Sequence, residues 1–249
     1  MKELPILFNG EMVKAILDGR KTQTRRPIKV SKKILDFWEV ESVNSAYGCL
    51  SPIDQQGEAA LLFSGDQGYE FIRSPFGKAD DVLWVRETCR AVSSEWLDVV
   101  EYEADNCQLQ PMPNTSEGAD LWFDLWSYRG KEGATVPSIH MPKWACRLKL
   151  KVKRVWVERV QEITEDGAIS EGVDIESDHA SLMINMQSQP YPNDLERGSV
   201  ELTLFRNLWN SIYDRVPVRD DDGKIVSYDE SLAWKNNPWV WCCEFEVIK

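Results

Sequence analysis

Phe8-Asn9-Gly10-Glu11-Met12-Val13-Lys14-Ala15-Ile16-Leu17-Asp18-Gly19-Arg20-Lys21-Thr22-Gln23-Thr24-Arg25-Arg26 is the stretch whose reading decides the fold. Met12, Val13, Ile16 and Leu17 recur at helical spacing, so a helix from Glu11 to Asp18 can lay one face on a core while Glu11, Lys14 and Asp18 meet water. Asn9 suits the N-cap, and Gly19 stands where a left-handed residue ends a helix. The next six residues, Lys21 to Arg26, carry an amine, two guanidiniums, two hydroxyls and an amide. If they formed one regular strand, Lys21 and Thr24 would point to opposite faces, so joint action requires irregular backbone just after Gly19.

Working outward, Leu4 to Phe8 reads as a first strand, and Asp80 to Cys89 as the clearest early one. There Val82, Trp84 and Arg86 alternate with Leu83, Val85 and Glu87. A carboxylate on an apolar face must be paired or sit at a cavity rim. In Arg147-Leu148-Lys149-Leu150-Lys151-Val152-Lys153, Leu148, Leu150 and Val152 turn inward and four cations outward, with a phase slip near Lys153-Arg154 that predicts a bulge. The cationic side either tracks an RNA backbone or is a solvated face. Ile163 to Gly172 reads as a short helix capped by Thr164, Val200 to Arg215 as a longer one burying Leu202, Phe205, Trp209 and Ile212, and Trp239 to Val247 as the last strand. Trp122 and Trp126, four apart, fit a local cluster, and Pro111-Met112-Pro113 a linker.

Gly19-x-Lys21-x-x-Thr24-x-Arg26 resembles the signature of the ASCH family, the PUA-like domains of the activating-signal-cointegrator homology group. The usual pattern is G-x-K-x-x-E-x-R, and Thr24 replaces its carboxylate, as it does in the branch of small bacterial amidohydrolases that deacetylate N4-acetylcytidine. Ser74-Pro75-Phe76-Gly77, Asp81 to Glu87, Ser138-x-His140-Met141-Pro142 and Asn237-Pro238-Trp239-Val240-Trp241 are similar to patches of longer, phage-borne members. The resemblance implies an α+β, mostly β fold: a PUA-like β-barrel with flanking helices, one elaborated domain over 1–249, and insertions near 31–74, 93–135 and 176–199. It also implies a catalytic set of Lys21, Thr24 and Glu87, with no cofactor. Thr24 would be the nucleophile, Lys21 the base or a charged oxyanion donor, and Glu87 the proton carrier to the leaving group. Arg26 or Arg25 would orient substrate or make a rim salt bridge, and Trp84 would stack a pyrimidine or belong to the core. His140 is read as structural.

Composition bounds these expectations. With 249 residues, 43% of them hydrophobic, the chain can bury a substantial core. A net charge of −12 argues against broad phosphate-backbone binding, and the modified nucleoside or short RNA that the resemblance implies as partner needs no such field. Eleven Trp serve a core or a stacking site. The six Cys show no C-x-x-C, and His140 and His179 stand apart from them, so no metal site is expected. Scattered thiols, no leader and no apolar run of about 18 residues point to the cytoplasm, that of a bacterial host if the gene is phage-borne, and to no membrane. The sequence also admits a non-catalytic RNA or modified-nucleotide module, a host-interaction protein and a ribonuclease, and leaves the oligomeric state open.

Overall fold

The computed structural model describes residues 1–29, 58–62, 69–93, 97–176, 199–220 and 223–248. In chain order the elements are β1 (Glu3–Leu7), α1 (Gly10–Leu17), β2 (Gln23–Pro27), β3 (Glu58–Leu62), β4 (Tyr69–Arg73), β5 (Val82–Arg86), β6 (Cys89–Ser93), β7 (Asp98–Tyr102) and β8 (Cys107–Leu109). They continue with α2 (Ser116–Trp126), β9 (Lys149–Arg159), α3 (Glu165–Ser170), α4 (Val200–Tyr213), β10 (Val216–Arg219), β11 (Ile225–Asp229) and β12 (Trp239–Val247). The fold is α+β and mostly sheet, and the described strands form open sheets with no closed barrel among them. The chain divides into two compact units, one of residues 1–19, 79–153 and 245–249, the other of 20–78 and 154–244.

In the first unit β1 runs parallel to β5, from Glu3↔Val82 to Leu7↔Arg86, and β5 is antiparallel to the start of β9. Ile248 N donates to Lys149 O at 2.9 Å, which ties the end of β12 to the other edge of β9. Leu148, Leu150 and Val152 are buried, as their alternation requires. Asn9 caps α1 by accepting from Met12 N at 2.8 Å, and Gly19 follows at φ +76°. The buried stripe of α1 is Val13, Ala15 and Ile16; Leu17 is exposed, because the helix is rotated so that Ala15 takes the inner position.

The region expected as a second insertion has a core of its own. Strands β6, β7 and β8 form an antiparallel meander, and α2 packs on β6 around Tyr102, Trp122, Leu125 and Val136. Trp122 and Trp126 stack at 5.9 Å, and Trp122 Nε1 donates to Val99 O at 3.0 Å. Pro111-Met112-Pro113 is no linker, since Met112 is buried in this core.

In the second unit β12 is antiparallel to β2, from Val240↔Pro27 to Glu244↔Gln23, and Val160 N donates to Pro238 O at 3.0 Å where β9 ends. Thr164 caps α3 by accepting from Gly167 N, and Gly172 leaves it at φ +88°. Phe205 and Trp209 of α4 are buried with Val160, Ile163, Ala168 and Val240, whereas Leu202 is partly buried and Ile212 exposed. Two hairpins, β3–β4 and β10–β11, complete the unit. The first lies within the insertion expected near 31–74, of which residues 31–57 and 63–68, like nearly all of 176–199, lie outside the described residues.

One contact makes a direct test of how α2 is seated. An added Cβ at Gly118 would lie 1.8 Å from Pro113 O. In an exposed helix Gly→Ala gains about 1 kcal/mol; Gly118→Ala is expected instead to destabilise by about 1–3 kcal/mol through overpacking. Urea unfolding of the variant checks the sign.

Candidate functional site

The second unit buries Lys21, Thr24 and Arg25, and sets Lys21 and Arg25 on two carboxylates. The chain leaves the helical turn at Gly19, and Lys21 and Thr22 precede β2 rather than belonging to it, which supplies the irregular backbone that joint burial requires. Thr22 N donates to Ser170 O at 2.8 Å and Arg20 Nη1 to Gly172 O at 3.2 Å, so the segment is clamped along the last turn of α3. Lys21, whose side chain has no solvent exposure, donates from Nζ to both Glu171 Oε2 and Glu171 O, each at 2.7 Å. A cation is favourable at the carbonyl end of a helix, where the peptide dipoles leave negative potential.

Arg25 binds the same carboxylate from another side. Its Nη1 donates to Glu171 Oε1 at 3.3 Å, and its Nε to Glu158 Oε1 at 2.7 Å. Glu158 is held in turn by Trp156 Nε1, 2.6 Å from its other oxygen. Gly167 makes room for this arrangement, because a Cβ there would meet Arg25 Nη2 at 3.2 Å. Arg25 is therefore committed to an internal network, its charged state reinforced by Glu171 and Glu158 despite burial. Arg26, in register with Trp241, is half-buried.

Thr24 is 1% exposed, and its Oγ1 has no hydrogen-bond partner among the described residues. Nearly all buried hydroxyls are satisfied, so this one requires an explanation. Thr24 stands opposite Cys243, whose thiol lies in the field of Glu171, the group that holds Lys21. Burial pushes the Cys243 and Cys242 thiols well up, so neither is a thiolate nucleophile near neutral pH. The Lys21 amine moves the other way: burial lowers it, Glu171 opposes the change, and Arg26 and Arg25 add to it.

Glu87 and Trp84 belong to the first unit. Glu87, 1% exposed, follows β5 and takes a bidentate pair from Arg147, Nε to Oε1 and Nη2 to Oε2, both 2.8 Å. Arg147 also donates to Asp105 Oδ2 at 2.9 Å, and its guanidinium lies 4.2 Å from the Tyr102 ring centroid. This corrects the reading of Arg147 as an outward cation: it is almost wholly buried because a carboxylate on an apolar face needs a partner. Trp84 is half-buried on the opposite face of β5, with the Arg86 guanidinium 5.5 Å from its ring centroid. The three remaining cations of the stripe each meet an acid: Lys149 Nζ is 3.2 Å from Glu3, Lys151 is 2.8 Å from Asp80, and Lys153 is 3.8 Å from Glu246.

The other sequence patches are props. Gly77 N donates to Ser74 O at 3.3 Å in a tight turn with Gly77 at φ +72°. Met141 Sδ accepts from Glu87 N at 3.2 Å, and the carbonyl of Ile139 accepts from Arg86. His140 is exposed, 5.7 Å from the Tyr128 ring. Asn237, at φ +45°, accepts from Gln161 N at 3.0 Å, and Arg159 lies 4.3 Å over the Trp239 ring. Glu158 and Glu171 escaped the sequence reading. The one signal for Glu171 was an acidic residue in the last turn of the helix expected to end at Gly172, where a cation is the usual complement to the helix dipole.

Among the described residues no group of three His, Cys, Asp or Glu side chains is placed to hold a metal ion, and no helix is long and apolar enough to cross a membrane. The Glu87 pair yields a stability test: Arg147→Ala, which leaves the carboxylate buried and unpaired, is expected to cost about 3–5 kcal/mol. Glu87→Leu combined with Arg147→Met should recover most of that loss, as read from urea midpoints. Compared with protein-family profiles, curated proteins and solved structures, the chain matches none.

Proposed function

We propose that the chain is an amidohydrolase of the ASCH, PUA-like kind that removes an acyl group from a modified nucleoside or base such as N4-acetylcytidine. Thr24 is the nucleophile and Lys21 the base. The observation that carries this reading is the Thr24 hydroxyl, buried and without a partner among the described residues in the unit that also buries the Lys21 amine. A valine would fill the same space without stranding a polar group, so the hydroxyl costs stability that function can account for. In the reaction Thr24 Oγ bonds to the acyl carbon as its proton passes to neutral Lys21 Nζ, and that proton then leaves with the amine as the C–N bond breaks. Water afterwards releases the acyl group from Thr24.

A lysine must be shifted for this task. Half-neutralising an ordinary lysine at pH 7 demands about 4–5 kcal/mol from its surroundings. Burial and the neighbouring Arg25 and Arg26 act in that direction. Glu87, the third residue that the resemblance implies, enters as a variant to be assayed. The alternative of an RNA-binding module rests on Lys149, Lys151 and Lys153, and their acidic neighbours weaken the positive field it requires.

The test is incubation with N4-acetylcytidine and chromatographic detection of cytidine. Lys21→Ala and Thr24→Val are each expected to lower turnover by about 10²-fold or more. Turnover by the unaltered protein no greater than by these variants rejects the reading. Thr24→Val should meanwhile unfold at the same or a higher urea concentration, by up to about 1 kcal/mol, since it removes a stranded hydroxyl.

A further inference from the structure

We propose that Glu171 is the positioning residue of this site: its carboxylate and its own carbonyl grip the Lys21 amine and so fix where Nζ points and what charge it carries. The inference rests on the reading of Lys21 and Thr24 as the acting pair, and it adds a residue that the family motif does not contain. Three observations support it. Both contacts from Lys21 to Glu171 are 2.7 Å, within a pair whose side chains are 0% and 5% exposed, so solvent screens the interaction little. Glu171 is itself fixed: Arg25 holds its other oxygen, Glu158, in turn held by Trp156, holds Arg25, and the backbone of Thr22 and the guanidinium of Arg20 bind the residues on either side of it. Thr24, three residues from Lys21, is opposite Cys243, which senses Glu171.

The groups that bear on the Lys21 charge can be named element by element. Arg25 and Arg26 of β2 favour the neutral amine, as burial does, and Glu171, after α3, favours the ammonium. Glu158 of β9 acts through Arg25, and the Cys242 and Cys243 thiols of β12 stay protonated near neutral pH. Glu171 is in direct contact with Lys21. Its removal therefore takes away an opposition to burial and the two guanidiniums, and the amine loses its proton at lower pH. If neutral Lys21 is the base, activity rises as pH climbs through the Lys21 titration, so the acidic limb of the pH–rate profile must move down in Glu171→Gln.

The experiment follows the Lys21 Nζ resonance by nitrogen-15 NMR across a pH titration, in the full chain and in Glu171→Gln, with Lys21→Arg to assign the signal. The expected result is a titration displaced downward by about 1–3 pH units, the range for losing an opposite charge in contact. Glu171→Asp, which keeps the charge but withdraws it by one methylene, is expected to fall between the two and serves if the Gln variant does not fold. A Lys21 titration unchanged in both variants overturns the proposal. The acidic limb of N4-acetylcytidine hydrolysis should shift by the same amount. The NMR result stands without any turnover, so failure of the hydrolase reading and failure of the Glu171 assignment are told apart.

Discussion

A single carboxylate shared by two buried cations organises the second unit around the candidate site. Glu171 accepts from Lys21 and Arg25, and Arg25 is paired with Glu158 as well. Such pairs seldom add net stability over a hydrophobic core, but breaking one by deleting a partner is expensive. The network therefore acts as a constraint on conformation. It holds residues 20–25 against the end of α3 and seats Arg25 beside Gly167, the position with least side chain to obstruct it.

The first unit meets the same problem with a different answer. Glu87 is as deeply buried as Lys21, and it takes both hydrogen bonds from one guanidinium lying over an aromatic ring. A planar fork matched to a carboxylate leaves neither oxygen unsatisfied. Its neighbour Cys89, pushed up to about 12 by burial and by the Glu87 charge, stays a protonated thiol at neutral pH. The Thr24 hydroxyl, by contrast, is buried without a hydrogen-bond partner among the described residues, as are Tyr128 Oη and Arg86 Nε.

What could be read in the sequence was local. Asn9 and Gly19 bracket α1, Thr164 and Gly172 bracket α3, and the alternation of Leu148, Leu150 and Val152 fixes the face of β9, because caps and alternation depend on residues within a turn or two of each other. The partner of a buried charge carries no such signal. Arg147 sits in a run of alternating cations and looked like the rest, yet it alone of the four is drawn inside, by a carboxylate 60 residues earlier. Glu171 lies 150 residues from Lys21, and only folding reveals the pairing. Of the meander of β6 to β8, residues 96–102 read as a strand and hold β7, whereas β8 is only three residues long and the helix that buries the meander has too few turns for a clear period.

The division of the chain has a practical consequence for its history and its handling. The polypeptide passes from one unit to the other at 19–20, 78–79, 153–154 and 244–245, twice in the middle of a strand. Neither unit is thus a continuous stretch that could be cut out, fused to another gene or inherited by itself. Recombination that exchanged an ordinary terminal half would split β9 or separate Lys21 from Glu171.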